Sequence, residues 1–204
     1  MNTTILKTQR LIIRPITLLD LDYIHELHSL KETDEFNTLG IPSQLEETKL
    51  LLEKWVFENN KEFATHFTFA VELNTGNQTI GLIGINLGKV KYKNAEVWFK
   101  FHKNHWNKGY ATESLKEILR FGFDELNLHR IEAGCAVGNV GSIRVLEKTG
   151  MTKEAHTRKL LPLSSGWSDN YGYAILTTDW YQQKNKIHFL NPKIHFFGRI
   201  SCEI

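Results

Sequence analysis

The feature that most constrains this chain is a handover between residues 95 and 126. Ala95-Glu96-Val97-Trp98-Phe99-Lys100-Phe101-His102 reads as a strand. Beyond it, Leu115, Ile118, Leu119, Gly122, Phe123 and Leu126 recur at helical spacing, with Glu113, Lys116, Glu117, Arg120, Asp124 and Glu125 on the other side. The turn between them, His105-Trp106-Asn107-Lys108-Gly109-Tyr110-Ala111-Thr112, therefore sits where a strand meets a helix N-terminus. Free N–H groups and the positive end of the helix dipole point out of such a turn, and Gly109 lets backbone approach an anion where a Cβ would intrude. A glycine here is also ordinary turn chemistry, so the phosphate reading needs support from elsewhere in the chain.

The flanking chain fills in an α/β pattern. Thr8 to Pro15 alternates as a first strand. Asp20 to Leu30 and Ser43 to Asn60 read as helices, the second entered through a Ser43/Glu46 capping pattern. Lys31 to Ile41 is polar and irregular. His66 to Leu73 and Gln78 to Gly88 are strands joined by the hairpin signal Asn74-Thr75-Gly76-Asn77. His129 to Val137 is a strand, Asn139 to Thr149 a helix stopped by Gly150, and Met151 to about Leu160 a strand. A loop follows at Pro162 to Asn170, then a last strand, Tyr171 to Leu176. No repeat or interdomain linker is visible, and one mixed-sheet domain fits residues 1–182. The extension 183–204 echoes Lys186-Ile187-His188-Phe189 as Lys193-Ile194-His195-Phe196 across Asn191-Pro192. It reads as an added hairpin, an arm packing on a second subunit in a homodimer, or a loose terminus.

Composition narrows the function classes. A net charge of +2 over 204 residues gives no broad basic face for nucleic acid. Two cysteines make no disulfide framework, and no apolar run approaches the roughly 20 residues of a membrane span. A soluble cytoplasmic protein without nucleic-acid or membrane partners is expected. His102, His105 and His129 lack paired ligand spacing, so no metal is expected. Cys135, among Ala133, Gly134, Ala136 and Val137, reads as a small buried hydrophobe. Trp98, Phe99, Phe101 and Trp106 read as one aromatic cluster of core and ligand wall, since basic residues that would make it a base-stacking platform are sparse.

A second block, Gly138-Asn139-Val140-Gly141-Ser142-Ile143-Arg144-Val145-Leu146-Glu147-Lys148-Thr149-Gly150-Met151, gives the support. Together with Trp106-Asn107-Lys108-Gly109-Tyr110-Ala111 it resembles the GCN5-related N-acetyltransferase (GNAT) superfamily, in particular the ribosomal-protein N-acetyltransferase branch. Asn107 stands where the superfamily often has Gln or Arg, and Ala111 replaces a second glycine. The resemblance implies a mostly antiparallel sheet, splayed at an acetyl-CoA site and flanked by helices, with the co-substrate lying between the Glu96 strand and the His129 strand. It implies that Phe99, Lys100 and Phe101 run beside the pantetheine arm, and that Asn107, Lys108, Gly109, Tyr110, Ala111 and Thr112 hold the pyrophosphate. Asn139 is a helix N-cap at the same site. Ser142 is either a further local cap or the acid that protonates the leaving thiolate. Glu96 is either a solvated strand residue or the general base, directly or through water. Asp169 is a second candidate beside Tyr173, with loop capping as its alternative. The implied reaction is direct acetyl transfer from acetyl-CoA to a primary amine in a ternary complex. The amine is the N-terminal α-amine of a protein such as a ribosomal protein, or else that of an amino acid, polyamine or aminoglycoside. A non-catalytic acetyl-CoA-binding module is the remaining alternative.

Overall fold

A computed structural model describes residues 4–76 and 78–190, with side chains as far as Asn185. Strands β1 (Leu6–Lys7), β2 (Leu11–Pro15), β3 (His66–Leu73), β4 (Thr79–Leu87) and β5 (Asn94–Phe101) pair antiparallel, each with the next. Strand β6 (Arg130–Ala136) joins β5 in parallel. β8 (Gly166–Leu176) then pairs antiparallel with β6, and β7 (Thr152–Leu163) closes the edge of an eight-stranded sheet ordered β1-β2-β3-β4-β5-β6-β8-β7.

Helices cover both faces, so the central strands are buried on both sides. On one face, α4 (Tyr110–Arg120) and α5 (Val140–Lys148) bring Leu115, Ile118, Leu119 and Leu146 against Phe69, Ile83, Val97 and Phe101. On the other, α1 (Leu21–Ser29) and α3 (Leu45–Asn59) bring Ile24, Leu27 and Leu52 against Ala70 and Leu82. Leu52 and Ile118 are wholly buried, each contributing roughly 1.5–3 kcal/mol. Past Arg120 the helix widens into one π turn, Phe121–Glu125, and this shift of face turns Phe121 inward beside Phe123. Gly122 permits the close approach, because a Cβ there would stand 2.6 Å from Ile131 Cδ1.

Five expectations change. The loop from Pro162 to Asn170 is instead strand, with β7 and β8 paired to Leu163↔Gly166; Pro162 is tolerated because β7 is an edge. Lys31 to Ile41 includes a short helix, α2 (Lys31–Asp34), and Ser43 bonds to Glu47, not Glu46. The start of the extension is helix, since α6 (Thr177–Leu190) runs through it. The Asn191-Pro192 turn and its second arm lie outside the described residues. The aromatic cluster divides: Phe99 and Phe101 face α4, Trp98 packs on Trp55 with ring centroids 5.6 Å apart, and Trp106 is 43% exposed. Alternation along β5 sends neighbouring side chains to opposite faces, which a list of nearby aromatic residues does not convey.

Candidate active site

The β5–β6 pairing lasts for only three positions, Asn94↔Arg130, Ala95↔Ile131 and Glu96↔Glu132. Past that point the strands part, while β5 stays bonded to β4 as far as Phe101 and β6 to β8 as far as Ala136. Residues 97–101 and 133–136 thus each turn an edge without a partner strand toward one gap; at its far end Phe101 O accepts from Trp106 Nε1 at 2.7 Å and Ala136 O from Asn139 N–H at 2.9 Å. Backbone groups in such a place require a partner, and an extended amide-bearing chain laid between the edges can supply it.

The phosphate turn lies at the open end of that gap. Asn107 (φ 59°) and Gly109 (φ 81°) are both left-handed, and Gly109 is the N-cap of α4. The first intrahelical bond runs from Glu113 N–H to Gly109 O at 3.0 Å, so the N–H groups of Tyr110, Ala111 and Thr112 precede the ladder. Successive N–H groups in this conformation make an anion-binding concavity.

A brace that no local pattern announces ties the turn to the connection between β1 and β2. Glu113 accepts from Thr8 Oγ1 at 2.6 Å, Arg10 N–H at 2.9 Å and Arg10 Nε at 2.7 Å. Arg10 also donates to Lys108 O at 3.0 Å, and its guanidinium lies 4.7 Å from the Tyr110 ring centroid. Burial works to raise the Glu113 carboxyl, but its bonds to Thr8 and Arg10 prevail and hold it below the usual carboxylate range. Helical periodicity places Glu113 on the solvent side; a partner 103 residues away has no local signal.

On the β6 side, Asn139 caps α5 by accepting the Ser142 N–H at 3.0 Å. The cap uses the Ser142 backbone and leaves its half-buried hydroxyl without a hydrogen bond among the described residues. Glu96 is exposed at the apex, level with Glu132. Roughly 13 Å of strand separates Glu132 from Ala136, where the chain turns toward α5, and no hydrogen bond or ion pair links Glu96 to Ser142. Asp169 is committed elsewhere: it accepts from His156 Nε2 at 2.8 Å and Lys159 N–H at 3.0 Å within the β7–β8 hairpin. Tyr173 donates to Glu147 at 3.3 Å, and burial pushes its phenol up to about 12. Burial, with Glu147 nearby, likewise raises the Cys135 thiol to about 11, which leaves it a poor nucleophile. Among the described residues, no three His, Cys, Asp or Glu side chains form a group that could hold a metal ion.

The face opposite α4 carries a second group. Lys100 lies on the Trp98 side of β5, and its Nζ is buried with no hydrogen-bond partner among the described residues. Burial pulls its pKa down to about 8, with Asp34 pulling the other way. Asp34 closes α2, is 6% exposed, and has a buried Oδ1 that is also unpartnered. His28 is held neutral, its pKa lowered to about 3 by burial and then by Lys100, and its ring meets Trp55 edge-on at 5.9 Å. Two residues past Asp34, Phe36 lies so close to Gly138 that a Cβ there would be 3.0 Å from the ring. The segment after α1 therefore crosses from the Lys100 side of the gap to the β6 side.

A parallel pair that parts beside a helix-start anion turn is the architecture of an acetyl-CoA-dependent acyltransferase, and the comparisons with known proteins agree. The family model "Acetyltransferase (GNAT) domain" matches residues 10–152, and the chain belongs to that family. It is 34% identical over 175 residues to the uncharacterized N-acetyltransferase YnaD of Bacillus subtilis (strain 168), covering 85% of this chain and 97% of that one. A GNAT-family acetyltransferase structure from Bacillus anthracis superposes with a TM-score of 0.75 at 32% identity, covering 86% of this chain and 99% of the other. The fold also matches a spermidine N-acetyltransferase from Vibrio cholerae, solved with CoA and spermine: TM-score 0.76, 23% identity, 85% and 99% coverage. The protein is thus a GNAT N-acetyltransferase that uses acetyl-CoA. No helix among the described residues is long and apolar enough to cross a membrane.

Proposed function

We propose that the acceptor is a protein N-terminal α-amine, such as that of a ribosomal protein, and that acetyl passes to it directly in a ternary complex. The observation that carries this reading is Glu96, exposed at the apex and, among the described residues, without an ion-pair partner, whereas Glu132 beside it pairs with Arg130. A lysine amine must give up a proton at a cost of roughly 4.6 kcal/mol at pH 7, whereas an α-amine needs only about 1–1.4 kcal/mol. A single solvated carboxylate, acting through water, is matched to the second task.

In this reading the edge at Phe99, Lys100 and Phe101 pairs with the pantetheine amides, and the N–H groups of Asn107 to Thr112 hold the pyrophosphate. Acetyl-CoA supplies the activated acyl group. Glu96 receives the amine proton, a strand N–H holds the developing oxyanion, and the free Ser142 hydroxyl gives its proton to the departing thiolate. YdaF of Bacillus subtilis, whose name proposes a ribosomal N-acetyltransferase, is 31% identical over 105 residues, or 51% of this chain. A small-amine acceptor is the second reading, favoured by a spermidine N(1)-acetyltransferase from Vibrio cholerae that is 25% identical over 147 residues. Thiol release from acetyl-CoA, measured against a panel of amines, separates them. A peptide with a free small or polar first residue should react faster than the same peptide blocked at its N-terminus with an internal lysine exposed. Faster reaction of the blocked peptide, or activity confined to spermidine, would overturn the acceptor assignment and leave acetyl-CoA use in place.

A further inference from the structure

On the face opposite α4, Lys100 Nζ and Asp34 Oδ1 are buried, lack hydrogen-bond partners among the described residues and do not bond to each other; the Tyr23 hydroxyl is a third such group there. Leaving either one desolvated and unsatisfied costs stability, so an arrangement with both is poorly explained as packing. Their chemistry is complementary. Lys100 can only donate, and Asp34, when ionised, can only accept. Lys100 lies on the stretch of β5 that has parted from β6, and Asp34 ends α2 two residues before Phe36, whose ring lies against Gly138 past the end of β6. The phosphate turn and α4 lie on the other face, so Lys100 and Asp34 stand across β5 from the anion turn, on the side that α1 and α3 cover.

We propose that Lys100 and Asp34 read the acceptor at two points, Asp34 accepting from its amine N–H and Lys100 donating to the carbonyl oxygen next to it. The enzyme then selects amines that carry an α-carbonyl group, as a peptide N-terminus or an amino acid does. This rests on the α-amine reading above and narrows it to two side chains. The Lys100 ammonium also offsets the tendency of a nearby carboxylate to keep the amine protonated, and attack on the thioester needs the free lone pair. A polyamine fits poorly, because at neutral pH every polar group it has is a donor and Lys100 would face another cation without an acceptor.

The test compares kcat/KM for an alanine-starting peptide, free alanine, isopropylamine and spermidine in wild type, Lys100→Met, Lys100→Arg and Asp34→Asn, each first shown by its melting curve to be folded. Isopropylamine keeps the branched amine of alanine and removes the carbonyl. Comparing each variant with wild type cancels the difference in amine basicity. The peptide-to-isopropylamine ratio should fall at least about tenfold in Lys100→Met, chiefly through KM for the peptide, and recover in part in Lys100→Arg. Asp34→Asn should lower kcat/KM for both amines and leave their ratio in place. Free alanine against the peptide tells which source of the α-carbonyl amine is preferred. If wild type favours spermidine or a lysine side chain over α-amines, the acceptor reading falls and this site falls with it. If wild type favours α-amines but the ratio is unmoved in Lys100→Met, or Asp34→Asn leaves every rate unchanged, the two-point site alone is wrong.

Discussion

Ser142 separates two roles that usually coincide in a helix N-terminal serine. Its backbone N–H serves the Asn139 cap, so Ser142→Ala removes only the hydroxyl. Turnover should fall by up to roughly 10²-fold with the melting temperature unchanged, because proton transfer contributes in the transition state. Full turnover across pH 6 to 9 would make the serine structural. Lys100 should show the opposite sign. Its pKa is lowered to about 8, so between there and its ordinary value near 10.5 the unfolded chain binds the proton that the folded chain has lost. Folding stability contributed by Lys100 is therefore present above 10.5 and lost as pH falls to 8, a penalty of up to about 3 kcal/mol at pH 7, with Asp34 and His28 the charged and titratable groups facing it. Lys100→Met should raise the melting temperature at pH 7, and that gain should shrink as pH approaches 10.5. Equal gains at both values would dissociate the burial of this lysine from its charge. At this scale the sequence showed the residue types and hid the partners. Asn139 was readable because a cap is local; Arg10, Asp34 and the Lys100 side chain were not, because their significance depends on segments far apart in the chain.

Between elements, the phosphate turn depends on Gly109 and on its brace. Gly109→Val would place a β-branched residue at φ 81°, though its Cβ would meet only Arg10 Nη2 at 3.4 Å. Strain at the turn and bulk on the ligand side should weaken acetyl-CoA binding by tens- to hundreds-fold while the fold persists. Wild-type affinity by calorimetry in the folded variant would remove the turn from the site. The elements themselves were largely legible: hydrophobic periodicity located the strands from β2 to β6 and the helices α1, α3, α4 and α5. The failures were at edges and ends. β7 is exposed along nearly its whole length, so it had no buried face to announce how far it runs. The π turn after α4 likewise shifts a face that a strict helical period keeps fixed.

For the whole molecule, the boundary proposed after Gln182 falls inside α6. Trp180 is 8% exposed and stacks near Phe123 at 5.8 Å, Gln183 donates to Gly150 O at 3.4 Å, and Lys184 pairs with Asp124 at 2.8 Å. Trp180→Ala should cost roughly 3–5 kcal/mol in a denaturation series, and a cost within about 0.5 kcal/mol would show that α6 is not part of the core. The parallel pair at the centre of the sheet, β5 and β6, parts after three positions, and acetyl-CoA is placed in that parting. Amide hydrogen exchange with and without acetyl-CoA tests this directly. Protection should rise in residues 97–101 and 133–136 and at Asn107 to Thr112, while the edge strand β7 and the β3–β4 hairpin stay as they were. Protection that leaves the two strand edges unchanged, with acetyl-CoA bound, would contradict it.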